Sequence, residues 1–459
     1  MTGDRVVRIA CGQGFWGDRP EAPLEQVTRG PVDYVVMDYL AEVTMSILQK
    51  QRARDPSLGY ARDFIPVLEQ ILPVCVERGI RIVSNAGGVN LAACRDAALR
   101  VARSLNLQGK VRVGTVRGDD LLERLPTLIA AEHRLNNLES GRPLAEILDR
   151  VQSANAYIGA VPLARLLNQG ATVVIAGRST DTALTYAPMM HEFGWRNDDY
   201  DRLASGVVAG HLIECSGQVA GGNAMVDWES IPDLAGVGFP IIEASSDGSF
   251  VITKHPGTGG RVSRETVIEQ LLYEIGDPRS YITPDCVADF TTIQLETVGC
   301  DRVRVTKVRG RPRTSQLKVS ISYSDGYKAI GTLVYGWPDA VKKAQAADAI
   351  LRQRLERLGL EFDAIRSELV GWNATHGHLT ALPAEAVPEV QLRVGVRSHQ
   401  RATVEEFTRQ VQALILSGPP GVTGFGGGRP RVQEVVAFWP ALIDRDQVEP
   451  HLQLEVADA

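Results

Sequence analysis

The side chains best suited to chemistry concentrate between Arg178 and Glu274. The richest run is RSTDTALTYAPMMHEFGW, which opens with Arg178, Thr180 and Asp181. An arginine beside hydroxyl groups and a carboxylate can hold a ligand carboxylate or phosphate through paired hydrogen bonds. Ser179 and Thr180 are also typical N-cap residues, so one of them is expected to start the following helix whether or not a ligand binds.

A second run, GHLIECSGQVAGGN, places His211 three residues before Glu214. One helical turn would bring the imidazole and the carboxylate together. A histidine oriented by a carboxylate is a good general base near neutral pH. We therefore predict His211, Glu214 and Asp181 as catalytic residues. The alternative is a core histidine that only satisfies its hydrogen bonds inside the protein.

Glycine-rich loops let backbone N–H groups meet an anion, and a following helix N-terminus adds a favourable dipole. Such loops are SNAGGVN, QVAGGN and the GTGG stretch that follows Lys254. The alternative is that these glycines form tight turns, because the loops match neither the dinucleotide fingerprint nor the P-loop. Besides Arg178 and Thr180, the residues that we predict to bind ligand are Asn85, Gly87, Gly88, Gln218, Gly222, Asn223, Lys254, Gly259 and Gly260.

Two further pairs of polar residues have less specific spacing. Asp38 and Glu42 are four residues apart, which on a helix would place them on one face. They could supply a general base or part of a metal shell; a capping aspartate with a solvated glutamate is the alternative. His376 and His378 could bind a divalent ion with distant carboxylates, but a surface loop is the favoured interpretation. We predict no metal site.

The composition excludes several classes of protein. The net charge is -6, from 49 basic and 55 acidic residues scattered along the chain, which argues against nucleic acid as a partner. The densest basic stretch, Arg302–Arg313, lies beside an alternating strand pattern and is predicted to be a solvated strand face and hairpin, with anion binding as the alternative. Six dispersed cysteines without a C-x-x-C pair give neither a disulfide framework nor a zinc site. With no secretory signal and no apolar run near roughly 18–20 residues, we predict a cytoplasmic protein without membrane contact.

The elements that must position these residues change character along the chain, and 459 residues are enough for two or three domains. Up to about residue 215, short apolar runs end in polar loops and alternate with amphipathic helical patterns such as Phe64–Arg78 and Leu91–Leu105. This alternation predicts an open, doubly wound, mostly parallel sheet, with ligands bound beyond the carboxyl ends of its strands. The four clearest runs are Val6–Ala10, Tyr34–Met37, Ile80–Val83 and Thr172–Ala176, and Val111–Val116 is a fifth candidate.

The second half, residues 216–459, is predicted to be an α+β domain that divides near residue 338. Several segments alternate with period two, and Ser324–Lys328 (SDGYK) is predicted as a hairpin turn because it has Asp-Gly at its centre. Ala340–Leu358 is a strongly amphipathic helix that ends at Gly359. A last β-α-β pattern contains the glycine-rich segment Gly418–Arg431, which should lack regular structure.

Five long strings carry a resemblance to a known family. They are SNAGGVN, GRSTDTALTYAPMMHEFGW, LASGVVAGHLIECSGQVAGGN, TKHPGTGGRVSRETVIEQLLYEIGDP and YITPDCVADF. They resemble the acyclic terpene utilisation family, formerly a domain of unknown function, over nearly the whole chain. The resemblance implies a place in the bacterial breakdown of citronellol and geraniol through branched acyl-coenzyme A intermediates. It also implies a link to acyl-coenzyme A carboxylase components, to which relatives are fused or adjacent, but it supplies no catalytic residue.

We predict two functions from different classes. The first is an enzyme of acyl-coenzyme A or branched-acid metabolism, of hydratase, dehydratase or lyase type, in which coenzyme A belongs to the substrate and no other cofactor is implied. The second is a non-catalytic ligand-binding or scaffolding subunit of an acyl-coenzyme A-processing complex. Many members of the resembling family continue into a further small C-terminal domain. We therefore predict a homo-oligomer, a small partner protein, or both, contacting the final third of this chain.

Overall fold

The computed structural model describes residues 5–423 and 428–459, and these fall into two compact units. Unit 1 comprises the described residues up to Ser322 together with Phe438–Ala459, and unit 2 comprises those of Tyr323–Ala437. The predicted boundary near residue 215 lies inside unit 1, because strands on both sides of it belong to the same sheet. Residues 424–427 of the predicted glycine-rich segment lie outside the described residues.

The α-helices follow the predicted amphipathic patterns closely, and Phe64–Arg78 has the predicted bounds. In chain order the described helices are α1 (Ala22–Arg29), α2 (Glu42–Arg54), α3 (Phe64–Arg78), α4 (Leu91–Ser104), α5 (Leu125–Ala130), α6 (Ala160–Asn168), α7 (Ala183–Phe193), α8 (Tyr200–Glu214), α9 (Arg264–Leu272), α10 (Ala340–Arg357) and α11 (Arg401–Ser417). Two of them end as glycine C-caps predict: α3 at Gly79 and α7 at Gly194, both left-handed.

Short strands separate these helices. In chain order the described strands are β1 (Val7–Gln13), β2 (Tyr34–Met37), β3 (Arg81–Ser84), β4 (Arg112–Arg117), β5 (Val151–Ala156), β6 (Val173–Ile175), β7 (Pro240–Ala244), β8 (Phe250–Lys254), β9 (Tyr281–Ile282), β10 (Cys286–Asp289), β11 (Gln294–Gly299), β12 (Arg302–Thr306), β13 (Arg309–Pro312), β14 (Gln316–Gly336), β15 (Ala364–Val370), β16 (Glu389–Ser398), β17 (Val422–Thr423), β18 (Gln433–Asp444) and β19 (Gln453–Asp458).

A ten-stranded sheet forms the centre of unit 1, in the order β11-β12-β8-β7-β1-β2-β3-β6-β4-β19. The five strands β1, β2, β3, β6 and β4 run parallel, and antiparallel strands extend the sheet at both edges. The parallel strands are buried on both faces, as their near-continuous apolar runs require. In β2, for example, Tyr34 and Val36 belong to one core, whereas Val35 and Met37 belong to the other.

Helices cover both faces of this sheet, which confirms the predicted doubly wound α/β fold. Apolar side chains of α1, α3 and α4 fill the core on one face, and those of α6, α7 and α8 fill the core on the other. Strands β3 and β6 are neighbours, yet α4 follows β3 on the first face and α7 follows β6 on the second. Neighbouring strands whose connections part in this way leave a crevice beyond their carboxyl ends, where α/β sheets bind ligands.

Helices α7 and α8 approach each other closely at Gly210. A Cβ atom there would lie 2.6 Å from both the Cα and the carbonyl oxygen of Thr182, the residue before α7. We expect Gly210→Ala to lower the free energy of unfolding by about 1–3 kcal/mol, because packed backbone must move to admit the methyl group. Gly276→Ala is the matched control, since a Cβ there meets nothing within 4 Å. Urea unfolding of both variants tests this, and equal midpoints would contradict it.

Unit 2 is α+β, as predicted for the second half of the chain. Strands β15, β16, β14 and β17 lie side by side, and their core includes apolar side chains of α10 and α11. The predicted hairpin at Ser324–Lys328 is wrong, because β14 runs through it unbroken and pairs with β16 on its far side. Gly326 adopts a φ of 85° there, and Arg397 binds the Asp325 carboxylate. Pairing with β16 overrides the local turn signal.

Candidate functional site

The Arg178 side chain is the centre of a buried polar cluster in the turn between β6 and α7. Its guanidinium is 1% exposed. Nη1 donates to the carbonyl oxygen of Leu40 and to Asp181 Oδ1, both at 2.7 Å, and Nη2 donates to the Tyr157 hydroxyl at 3.1 Å. The guanidinium carbon also lies 4.3 Å from the centre of the Tyr157 ring. Arg178 therefore ties together the loops after β2, β5 and β6.

Asp38, directly after β2, is a buried carboxyl in the same cluster. Its Oδ1 accepts hydrogen bonds from Asn85 Nδ2 at 2.6 Å and from the Leu40 N–H at 3.0 Å. Burial and the nearby charge of Asp181 raise its pKa to about 8, although Arg178 and both donors oppose the shift. Asp38 precedes α2 rather than lying on it, so the predicted shared helical face with Glu42 is wrong. What the two carboxyls share is the positive charge of Arg178, which lowers the pKa of each.

Glu42 forms the charged edge of the cluster, where it is partly open to solvent. Its Oε1 accepts a hydrogen bond from the Tyr157 hydroxyl at 2.6 Å and lies 3.4 Å from Lys318 Nζ. Burial opposes its ionisation, but Arg178, Tyr157 and Lys318 outweigh that effect and hold its pKa at about 2. Lys318 Nζ also stands 4.7 Å from the Tyr157 ring centre. The cluster therefore presents a firmly ionised carboxylate and an ammonium at its surface.

Asp119, two residues after β4, supports the backbone of the Arg178 turn. Its Oδ2 accepts hydrogen bonds from the Arg178 backbone N–H and from Asn155 Nδ2, both at 3.0 Å. Burial and the neighbouring Asp120 raise its pKa to about 7. Gly177 lets this carboxylate approach, because a Cβ there would lie 2.7 Å from Oδ2. The backbone of the turn is thus held by a side chain as well as by the sheet.

His211 and Glu214 lie together near the end of α8, as their spacing predicts. His211 Nδ1 is 2.9 Å from Glu214 Oε1, and Nε2 donates to the Gln270 carbonyl oxygen at 2.8 Å. Burial opposes protonation of His211, but the Glu214 contact outweighs it and raises the imidazole pKa. Burial also raises the pKa of Glu214. The pair therefore shares one proton between Nδ1 and Oε1, and neither ring nitrogen is free for a substrate; the catalytic role of His211 stays a prediction.

Asp181 connects the two groups of charges. Its carboxylate, 40% exposed, pairs with Arg178 on one side. Its charge also acts on both Asp38 and Glu214 and raises the pKa of each. Glu214 Oε2 is buried without a hydrogen-bond partner among the described residues. A buried carboxyl group whose pKa is raised, close to a second acidic group and a fixed cation, is an arrangement suited to proton transfer.

Several residues that were predicted to bind ligand donate their backbone N–H groups to carbonyl oxygens of the protein. The N–H groups of Gly87 and Gly88 donate to the carbonyl oxygens of Ala176 and Asn85. A Cβ on Gly87 would lie 2.7 Å from the same Ala176 oxygen. The Thr180 N–H donates to the Ile158 carbonyl oxygen in the same way. These positions hold the strand ends together, and ligand contact at them stays a prediction.

The remaining predicted ligand-binding residues lie in two loops that bind to other parts of unit 1. Lys254 Nζ donates to the Thr258 carbonyl oxygen at 2.8 Å and pairs with Asp301 at 3.1 Å. The N–H groups of Gly259 and Gly260 donate to the carbonyl oxygens of Gly236 and Pro232. Gly259 and Gly260 make contacts of this kind, whereas Gln218, Gly222 and Asn223 lie in the turn that follows α8.

Four residues of the cluster were not predicted as site residues. Asp119 follows a predicted strand, so the rule about carboxyl ends could have identified it. Tyr157 and Asn155 belong to β5 and its end, whose sequence VQSANA has too little apolar periodicity to predict a strand. Lys318 comes from β14, where its carbonyl oxygen accepts a hydrogen bond from the Tyr157 N–H. No local pattern indicates which distant strand lies beside Tyr157.

Two general features complete the description. Among the described residues, no three histidine, cysteine, aspartate or glutamate side chains are grouped closely enough to hold a metal ion. None of the helices in the described ranges is both long and apolar enough to cross a membrane. His378 lies in a single 3-10 turn that His376 precedes.

Comparison with known proteins gives a match to one protein family. The model of one family, described as acyclic terpene utilisation family protein AtuA, matches residues 7–454, which is nearly the whole chain. No curated protein matches the sequence, and no solved structure matches the fold. The family match includes every element that surrounds Arg178.

Proposed function

The chain belongs to the acyclic terpene utilisation family, and from this premise we propose that it is an enzyme of branched acyl-coenzyme A or carboxylic acid metabolism. The proposed reaction is acid/base chemistry beside the carbonyl of an activated acid, of hydratase, dehydratase or lyase type. Support for a reaction at all comes from Asp38. A buried carboxyl with a pKa of about 8, next to Asp181 and Arg178 at the crevice of the sheet, is suited to exchanging protons near neutral pH.

The proposed roles follow from charge and access. Asp38 exchanges a proton with the substrate, because a group whose pKa lies near the working pH can both give and take one. Asp181, which is more exposed than the other acidic groups of the site, is the second proton carrier or orients the substrate. Arg178 is buried and bonded within the cluster, so it supplies positive charge beside the reacting groups without touching the substrate. His211 and Glu214, which share one proton, have a structural role beside Asp181 in this proposal.

The test is exchange of the substrate's α-proton for deuterium, because this step needs no complete reaction and no partner subunit. Branched acyl-coenzyme A thioesters are incubated with the protein in deuterium oxide and weighed by mass spectrometry. We expect the wild type to incorporate deuterium beside the carbonyl. Asp38→Asn should slow incorporation by about 10²–10⁴-fold, the usual contribution of one general acid or base.

Asp96→Asn is the matched control, because Asp96 lies half-exposed on α4 and, among the described residues, pairs only with its neighbour Arg95. This variant should exchange at the wild-type rate. If the wild type incorporates no deuterium into any thioester, the proposed activity is wrong. If Asp38→Asn matches the control, the reaction does not use Asp38, and the alternative of a ligand-binding or scaffolding subunit gains support.

A further inference from the structure

A second site in unit 1 is a cavity of about 160 Å³ beside the start of α6. Its wall includes Gly159, Arg165, Asp285, Arg313 and Glu449. It adjoins the Arg178 cluster, because the neighbouring Ile158 also lines it and exchanges backbone hydrogen bonds with the Arg178 turn. No role proposed for the Arg178 cluster uses any of these five residues.

Asp285 forms a buried polar wall of this cavity. It belongs to the string YITPDCVADF and is 4% exposed. Its Oδ2 accepts hydrogen bonds from the Ala160 N–H at 2.6 Å and from the Tyr186 hydroxyl at 2.5 Å. Its Oδ1 receives no hydrogen bond from the described residues. One oxygen of a buried carboxyl group therefore remains to be satisfied, and burial raises the pKa of this group.

Gly159 shows how closely this carboxyl group is fitted. A Cβ atom at Gly159 would lie 2.2 Å from Asp285 Oδ2 and 2.4 Å from Oδ1. Gly159 is the residue before α6, so the carboxylate stands at the N-terminus of that helix, where a negative charge is favoured. Both Asp285 oxygens are therefore fixed in place before any ligand arrives.

The charges around the cavity are not all neutralised. Arg313 pairs with Glu449 at 2.8 Å, and Glu449 pairs also with Arg445 at 2.7 Å. The guanidinium of Arg165 has neither an ion pair nor a hydrogen bond among the described residues. The cavity thus offers one unpaired cation, Arg165, and one unsatisfied oxygen acceptor, Asp285 Oδ1.

We propose that this cavity binds a small carboxylate that carries a hydrogen-bond donor on the neighbouring carbon. The ligand carboxylate pairs with Arg165, and the donor, a hydroxyl or an ammonium group, satisfies Asp285 Oδ1. An apolar cavity of about 150 Å³ holds a benzene molecule, so the ligand here has about six non-hydrogen atoms. This inference does not rest on the proposed function of the Arg178 cluster.

The experiment compares three probes that share a three-carbon carboxylate skeleton by isothermal titration calorimetry of the full chain. L-lactate carries a hydroxyl group beside its carboxylate, L-alanine carries an ammonium group, and propionate carries neither. We expect lactate or alanine to bind at least about tenfold more tightly than propionate, a difference of about 1.4 kcal/mol. The probe that binds more tightly identifies the donor.

Two variants separate the site from other binding. Arg165→Gln should weaken binding of the better probe by about tenfold, the loss expected of one charge-assisted contact. Arg100→Gln is the matched control, because Arg100 is exposed on α4, a helix that packs on the opposite face of the sheet. This variant should bind the probe as the wild type does. Asp285→Asn should lower the preference over propionate if the variant folds; Arg165→Gln suffices if it does not. Equal affinity for all three probes, or unchanged binding by Arg165→Gln, would overturn the proposal.

Discussion

Replacing Arg178 by methionine is expected to lower the free energy of unfolding by about 3–5 kcal/mol, because hydrogen bonds that involve a charged group contribute about 1.5–3 kcal/mol each. The methionine keeps most of the volume but donates no hydrogen bond. Three donated hydrogen bonds disappear, and the carbonyl oxygen of Leu40 and the Asp181 carboxylate lose their nearest donor. The cation that opposes the raised pKa of Asp38 disappears as well. Urea unfolding followed by circular dichroism measures the difference.

Arg142→Met is the matched control for this variant. Arg142 is 58% exposed and pairs with Glu146, four residues later in the chain, so its loss should change stability by no more than about 0.5 kcal/mol. Arg178→Lys should fall between the two, because an ammonium keeps the charge but cannot match the directions of the guanidinium donors. If Arg178→Met unfolds at the same urea concentration as Arg142→Met, Arg178 does not tie the loops together.

Local sequence patterns were sufficient where a residue's neighbours are close in the chain. The strand Tyr34–Met37 and the helix Phe64–Arg78 have their predicted bounds, because apolar periodicity reflects burial directly. The contact between His211 and Glu214 follows from helical spacing alone. The prediction that ligand chemistry gathers beyond the strand ends also selected Arg178, since a doubly wound sheet makes those loops neighbours.

Long-range pairing limits what the sequence can predict. Asp38 and Asn85 were recognised separately, but only the parallel register of β2 and β3 brings the aspartate within 2.6 Å of the amide. Lys318 lies against the Tyr157 ring although it comes 161 positions later in the chain. The same effect made Ser324–Lys328 a strand, because β16 supplies hydrogen bonds that a hairpin would have had to provide. The oligomer, the small partner protein, the cytoplasmic location and the coenzyme A substrate stay predictions.

Stability should depend on pH through Asp38, and Asp38→Asn should remove that dependence. The pKa of Asp38 is about 8 in the folded protein, against about 3.9 for an unperturbed aspartate. The folded state therefore holds the proton more tightly than the unfolded chain, and the stability gained from this is lost as pH rises from about 4 to about 8. Asparagine resembles the protonated acid and can keep its hydrogen bonds from Leu40 and Asn85.

We therefore expect Asp38→Asn to match the wild type near pH 4 and to become more stable than the wild type as pH rises, by an amount on the order of several kcal/mol. Urea midpoints measured at a series of pH values give this difference directly. Asp96→Asn is again the control, because Asp96 is half-exposed and pairs with its neighbour Arg95, and the midpoints of this variant should follow those of the wild type. If Asp38→Asn loses stability relative to the wild type as pH rises, the folded protein favours the ionised form of Asp38. A carboxylate that is ionised throughout this range could not supply the proton that the proposed chemistry requires.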